Sequence, residues 1–157
     1  MNKTVVFTGG RNIIWDKELM IRLHQATEDL ILKGFDTFSC GICFGSDFMF
    51  LRSLIKHKEV YPNIKLVAFI PHANQSKIWA EENKKQYAEL FLKCDEIVQV
   101  SNEPYTPQLM ILRNIEMVNR ASYLLAVSDE NKSAGTWNTI EYSLKQEHIK
   151  SIYIIKK

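Results

Sequence analysis

Arg113 and Asn114 are the residues in this sequence best suited to hold a ligand. Met110, Arg113, Asn114 and Met117 recur three and four apart, so they share one face of a helix. An arginine fork clamps a phosphate or carboxylate, and an asparagine amide reads a ribose or base edge. An isolated arginine on a helix is more often solvated than functional, so the pair gains weight only from what surrounds it. Three glycine-bearing stretches supply that context: Thr8-Gly9-Gly10-Arg11, Gly41-Ile42-Cys43-Phe44-Gly45-Ser46-Asp47 and Ala134-Gly135-Thr136. Each follows an apolar run and precedes a helical pattern. In a parallel sheet such junctions gather at one edge, where helix N-termini present unpaired N–H groups to an anion. Gly9, Gly10, Arg11, Gly45, Ser46, Asp47, Arg113, Asn114, Gly135 and Thr136 are therefore expected to line one cleft. A sugar-phosphate would lie on the Gly45 and Gly135 turns, with Arg113 balancing its charge.

Each signal has a plainer explanation. Glycine at a strand-to-helix turn is usually geometric. Asp47 can cap a helix as readily as it can accept from a ribose. Trp79, Tyr87 and Trp137 can stack on a base, but aromatics at helical spacing are more often core. The first glycine turn is too short for G-x-G-x-x-G, and the second lacks the Lys-Ser/Thr of a P-loop. It is convergence on one edge that favours a site.

Other chemistry finds little support. Cys40 and Cys43 form a C-x-x-C, but there is no second pair for a structural zinc, and His24, His57, His72 and His148 lack metal spacing. Glu81-Glu82 and Lys84-Lys85 look like a solvated helix face. No Ser-His-Asp or Cys-His arrangement can be made out. No catalytic residue, metal or cofactor is assigned.

The elements that must position these residues alternate regularly. Strands are expected over Thr4–Thr8, Phe35–Ser39, Lys65–Ile70, Glu96–Val100, Tyr123–Val127 and Ile152–Ile155. The first helix runs from an Asp16 cap to Lys33, with Gly34 as its stop. Asp47 is expected to cap the second helix, through about Glu59. A third follows the loop Pro71–Ser76 and ends near Lys93. Thr106-Pro107 starts a fourth, with Ile111, Ile115 and Val118 as its apolar stripe. Gly135-Thr136 opens a fifth, to about His148. Leu66-Val67-Ala68-Phe69-Ile70 is apolar on both faces, as a central parallel strand should be. The pattern predicts an α/β fold: a three-layer Rossmann-like sandwich around a mainly parallel six-stranded sheet, with residues 1–157 as one domain.

Composition agrees. The chain has 157 residues, 46% hydrophobic and 24% charged, within the range of ordinary globular proteins. The net charge of +2, from 20 basic and 18 acidic residues, gives no field that argues for nucleic acid or an anionic membrane. Neither is therefore expected as a partner. Apolar runs fall well short of the ~20 residues of a membrane span. Met1–Phe7 is too short and too quickly interrupted for a signal peptide, and the odd count of three cysteines argues against a disulfide framework. A cytoplasmic protein is expected.

The same residues, taken in order, resemble the YpsA-like branch of the SLOG superfamily. The resemblance rests on the first two glycine turns, Tyr61-Pro62-x-Ile64-Lys65-Leu66, Ile70-Pro71, Trp79, Tyr87 and Tyr105-Thr106-Pro107. Its strongest block is Met110-Ile111-Leu112-Arg113-Asn114-x-x-Met117-Val118, followed by Leu124–Val127 and Gly135-Thr136-x-x-Thr139-Ile140-x-Tyr142. The superfamily includes DprA and the lonely-guy phosphoribohydrolases. The resemblance implies a Rossmann-like fold and a nucleotide pocket at the C-terminal edge of the strands. In hydrolase relatives an Arg on the penultimate helix and a Glu after the Gly-Thr turn form the catalytic pair. Arg113 matches the first, but Thr139 stands at the second. Gly10 and Ile111 stand where the branch usually has His, and Ala134 replaces the first Gly of Gly-Gly-Thr. A hydroxyl cannot titrate at neutral pH, so binding of a nucleotide-derived small molecule, by a sensor or sequestering protein, is expected over catalysis. The alternatives are an N-glycosidic hydrolase using Asp47, and an adaptor acting on a protein partner. A homo-oligomer, most simply a dimer, is expected because related domains pair through helices.

Overall fold

The computed structural model describes residues 2–157. Its strands are β1 (Thr4–Gly9), β2 (Thr37–Cys40), β3 (Lys65–Ile70), β4 (Glu96–Gln99), β5 (Tyr123–Ser128) and β6 (Ser151–Lys156). Its helices are α1 (Lys17–Leu32), α2 (Ser46–Val60), α3 (Glu81–Phe91), α4 (Pro107–Asn119) and α5 (Ala134–Leu144). The six strands form one sheet in the order β4-β3-β2-β1-β5-β6, and every pairing is parallel. The expected α/β sandwich is therefore observed.

Side-chain alternation along the strands divides the core. Val5, Phe7, Phe38, Leu66, Ala68, Leu125 and Val127 pack with Leu19, Leu23, Phe50, Leu51 and Leu54 of α1 and α2. Val6, Val67, Phe69, Leu124 and Ala126 face the other way, onto Met117, Val118 and Ile140 of α4 and α5. Strands apolar on both faces are what a sheet covered twice requires.

This strand order has a switch point. From β1 the chain winds outward through β2, β3 and β4, then returns to place β5 and β6 on the other side of β1. The loops leaving β1 and β5 therefore run to opposite faces and leave a crevice above the strand ends, the usual ligand position in an open α/β sheet.

Local signals mostly hold. Asp16 caps α1 by accepting from the Leu19 N–H at 2.8 Å, and Gly34 has the left-handed φ of 102° expected after a helix. Three details differ. α3 begins only at Glu81, because turns occupy residues 71–79. Asp47 is not the α2 cap: Gly45 holds that place at φ 93°, and the Asp47 carboxylate turns back to accept from the Cys43 N–H at 3.0 Å. Thr106 has cap geometry, and Pro107 is in the first turn, but the hydroxyl makes no capping bond.

The largest departure is on α4. Its buried residues are Arg113, Met117 and Val118, while Ile111 is 53% exposed. The helix is rolled so that its polar pair faces inward, which makes α4 a wall of the site.

Candidate functional site

A cleft of about 810 Å³ opens over the ends of β1 and β5. Gly9, Gly10, Arg11, Asp47, Arg113, Asn114, Gly135 and Thr136 line it together. The three glycine turns and α4 are thus brought to one edge.

Gly45 and Ser46 are not on its surface; they support it from beneath. Ser46 is fully buried and its hydroxyl donates to the Gly10 carbonyl at 2.6 Å, while the Trp15 indole N–H donates to that hydroxyl at 3.3 Å. A Cβ on Gly45 would lie 2.6 Å from the Arg11 carbonyl oxygen. The α2 N-terminus is therefore covered by the β1–α1 loop. A sugar-phosphate cannot lie on the Gly45 turn as expected, because protein backbone already does.

Arg113 forms the floor. It is 4% exposed. Its Nη1 donates to the Gly41 carbonyl at 3.0 Å and the Phe69 carbonyl at 3.3 Å, and its Nε donates to Asn114 Oδ1 at 2.9 Å. Nη2 meets only the sulfurs of Cys43 and Met110, at 3.8 and 3.9 Å. No carboxylate lies within ion-pair distance of Arg113 among the described residues. Part of the fork thus secures two loops, and part faces weak acceptors, leaving a buried cation without a direct ion pair. Gly41 must be glycine because a side chain there would occupy the guanidinium's place.

The Gly41–Gly45 loop is itself strained. Ile42 is β-branched and fully buried, yet has φ 48°. Gln75, from the loop after β3, holds it by donating to the Gly41 and Ile42 carbonyls at 3.2 and 3.4 Å. Strain of this kind persists only where the surroundings over-determine it, and it clusters at functional loops.

Asp47 sits at the cleft wall, 9% exposed. Burial pushes its carboxyl up to about 6, against the opposing pull of the Cys43 N–H and the charges of Arg113 and Arg11. Arg11 is exposed, with its guanidinium 5.0 Å from the Phe44 ring centroid and Nη2 3.5 Å from Cys43 Sγ. Cys40 and Cys43 are free thiols. Among the described residues no group of His, Cys, Asp and Glu is arranged to hold a metal.

The far wall is the β5–α5 loop. Asp129, Asn131, Ser133, Asn138, Thr139 and Tyr142 line the cleft there or just beyond. Most escaped sequence reasoning because polar residues in a loop carry no periodic signal. Thr139 and Tyr142 had a pointer, from the resemblance, and the Thr139 hydroxyl donates to the Gly135 carbonyl at 2.9 Å within its own helix. Trp79 and Tyr87 are not in this cleft; they pack edge-on to each other, 5.4 Å between centroids. Trp137 donates its indole N–H to Ser128 Oγ at 3.0 Å.

No helix among the described residues is long and apolar enough to cross a membrane.

Comparison with known proteins places the fold. A UPF0398 protein of Bacillus cereus strain G9842 is 28% identical over 132 residues, covering 83% of this chain and 72% of the relative. A UPF0398 protein of Bacillus thuringiensis strain Al Hakam is 28% identical over 94 residues, 59% of this chain and 51% of its own. DNA processing protein A (DprA) of Streptococcus pneumoniae superposes with a TM-score of 0.65 at 12% identity, over 96% of this chain and 49% of that one. DprA of Helicobacter pylori, described for its single-stranded DNA binding mode, gives 0.65 at 15% identity, over 96% and 64%. This chain spans about half and about two thirds, respectively, of those two proteins.

The Helicobacter protein corrects one expectation. Nucleic acid was set aside as a partner because the net charge is only +2, yet a protein of this fold is described for binding single-stranded DNA. Whole-chain charge was the wrong quantity: contacts are made by a local surface, and here Arg11 and Arg113 lie in the same cleft. The sequence resemblance itself stands. Residues 17–157 match the YpsA family model, described as the YspA SLOG family, and the chain belongs to that family.

Proposed function

We propose that residues 1–157 act as one nucleotide-binding domain, and that the cleft takes the phosphate and sugar of a nucleotide or nucleotide-derived ligand. One observation carries this: Arg113, a buried guanidinium with no carboxylate at ion-pair distance among the described residues, lies under a cleft at the β1/β5 switch point. A buried charge is costly unless it is paired, and an anionic ligand would supply the pair. Gly135 supports the same reading. Its φ is ordinary, a Cβ there would meet nothing within 4 Å, and it lines the cleft in the first turn of α5. Packing does not require glycine at this position, whereas close approach of a ligand to the backbone does.

The likeness to DprA supports single-stranded DNA as one form in which the nucleotide arrives. Asp47 favours a second reading, hydrolysis of an N-glycosidic bond. A carboxyl at about 6 in a cleft can exchange a proton near neutral pH, which Thr139 cannot do. That reading requires release of free base from nucleoside monophosphates, lost in Asp47→Asn.

Binding is tested by thermal unfolding with nucleoside monophosphates and a short single-stranded oligonucleotide, together with mass spectrometry of small molecules released on denaturation. A ligand at a hundredfold excess over its Kd raises stability by about 2.7 kcal/mol. No shift with any of them, and no released nucleotide, would leave the adaptor role as the better explanation. For the expected oligomer, Leu112 on α4, 41% exposed and outside the cleft lining, is a residue a second copy would cover. Light scattering of Leu112→Lys should then show only monomer.

A further inference from the structure

A second cavity of about 330 Å³ adjoins the main cleft, and Arg11 and Met110 line both. It is formed by the loop after β3 and the loop before α4, which contribute His72, Asn74, Lys77 and Trp79 on one side and Tyr105 on the other. Its polar and aromatic groups are arranged differently from those of the main cleft. His72 is 8% exposed, and its Nδ1 accepts from the Asn74 N–H at 3.2 Å, so its ring is a fixed support. Tyr105 leans on that ring, 5.4 Å between centroids at 51°, and keeps 53% of its own surface open. A half-exposed phenol ring held in place beside an apolar cavity is a stacking platform for a base. The Asn74 amide offers a donor and an acceptor suited to a base edge, and Lys77 a cation.

Arg11 stands where the two cavities meet. It makes no ion pair among the described residues. We propose that the smaller cavity is a second base subsite and that the ligand is a phosphate-bridged dinucleotide. One nucleotide occupies the main cleft, the bridging phosphate lies at Arg11, and the second base stacks on Tyr105. The proposal rests on the main cleft being a nucleotide site. Its shared chemistry, two bases joined through phosphate, is offered both by consecutive nucleotides of a strand and by a free pyrophosphate-linked dinucleotide.

Titration calorimetry with three probes tests it: AMP, 5′-phosphorylated adenylyl-adenosine, and diadenosine diphosphate. At least one of the two dinucleotides should bind about 5- to 160-fold tighter than AMP, as expected for one added base–aromatic stack. Tyr105→Ala should abolish that gain and leave AMP affinity unchanged, while Tyr105→Phe keeps it. Preference for the phosphodiester probe points to a strand, and preference for the pyrophosphate probe points to a free dinucleotide. Either preference supports the subsite. If AMP binds and neither dinucleotide gains, or if the gain survives Tyr105→Ala, the subsite is overturned and the nucleotide reading stands. If no probe binds, both fall.

Discussion

The two walls of the cleft are built differently. The wall made by the loops after β1 and β2 is packed to its limit. A Cβ on Gly9 would lie 2.5 Å from Ser46 Cβ, one on Gly45 would lie 2.6 Å from a backbone oxygen, and one on Gly41 would overlap Arg113. The wall made by the β5–α5 loop is open. Residues Glu130 to Gly135 are exposed, Ser133 makes no capping bond, and Gly135 has empty space where a side chain would be. The first wall is preformed by protein contacts. The second lacks such contacts, so on the proposed function a ligand would define it. Glycine serves both, in one case to admit a neighbour and in the other to leave room.

The largest effect that would break this contrast is at Gly41. Gly41→Ala should destabilise the fold by about 3 kcal/mol or more, combining overpacking with loss of the charged hydrogen bonds of Arg113. Chemical denaturation measures it, and a near-neutral result would mean that Arg113 does not occupy the place described.

Asp47 tests the electrostatics of the packed wall. Its folded carboxyl lies at about 6, above the ordinary aspartate value of 3.8. The folded state therefore binds the proton more tightly than the unfolded chain. That contribution to stability is full below about pH 4 and is lost as pH rises through about 6. Asp47→Asn keeps an acceptor for the Cys43 N–H and removes the buried charge. It should raise stability at pH 8 by up to about 3 kcal/mol, and by little at pH 4. His57, whose burial lowers its pKa, acts in the opposite direction; the difference between variant and wild type cancels it. A gain independent of pH would remove the assignment.

For ligand affinity, Arg113→Lys retains the charge but not the fork. It should weaken nucleotide binding by roughly 1.5 kcal/mol or more, measured by calorimetry on protein shown to be folded. The smallest effect is at Gly135 and sharpens the contrast most. Gly135→Ala should leave the free protein unchanged or more stable by about 0.5 kcal/mol, yet weaken the ligand. A loss of stability there would make the open wall resemble the packed one.

Much of the fold was legible because parallel strands covered on both faces leave a plain mark. Leu66 to Ile70 could hardly be anything else, and Gly34 and Asp16 did what their types suggest. Strand order was not legible, since which side of β1 receives β5 is decided by packing between residues distant in sequence. The roll of α4 was misjudged because Ile111, Ile115 and Val118 satisfy helical spacing as well as Met110, Arg113 and Met117 do. Burying an arginine there depends on carbonyls at Gly41 and Phe69, which no local pattern reveals. Asp47 and Gly45 exchanged roles for a related reason. A cap and a carboxylate bonded to a loop N–H differ only in the turn before them, and the left-handed φ of Gly45 sets that turn.

The central claim is that both walls close on one nucleotide. Backbone amide chemical shifts recorded during an AMP titration test it most directly, because Gly9, Gly10, Gly135 and Thr136 all carry an N–H at the cleft. The expected result is saturable shifts at both walls with one common Kd, and little change around α3, whose residues lie outside the cleft. Shifts confined to one wall, scattered over the surface, or absent at millimolar AMP would contradict it.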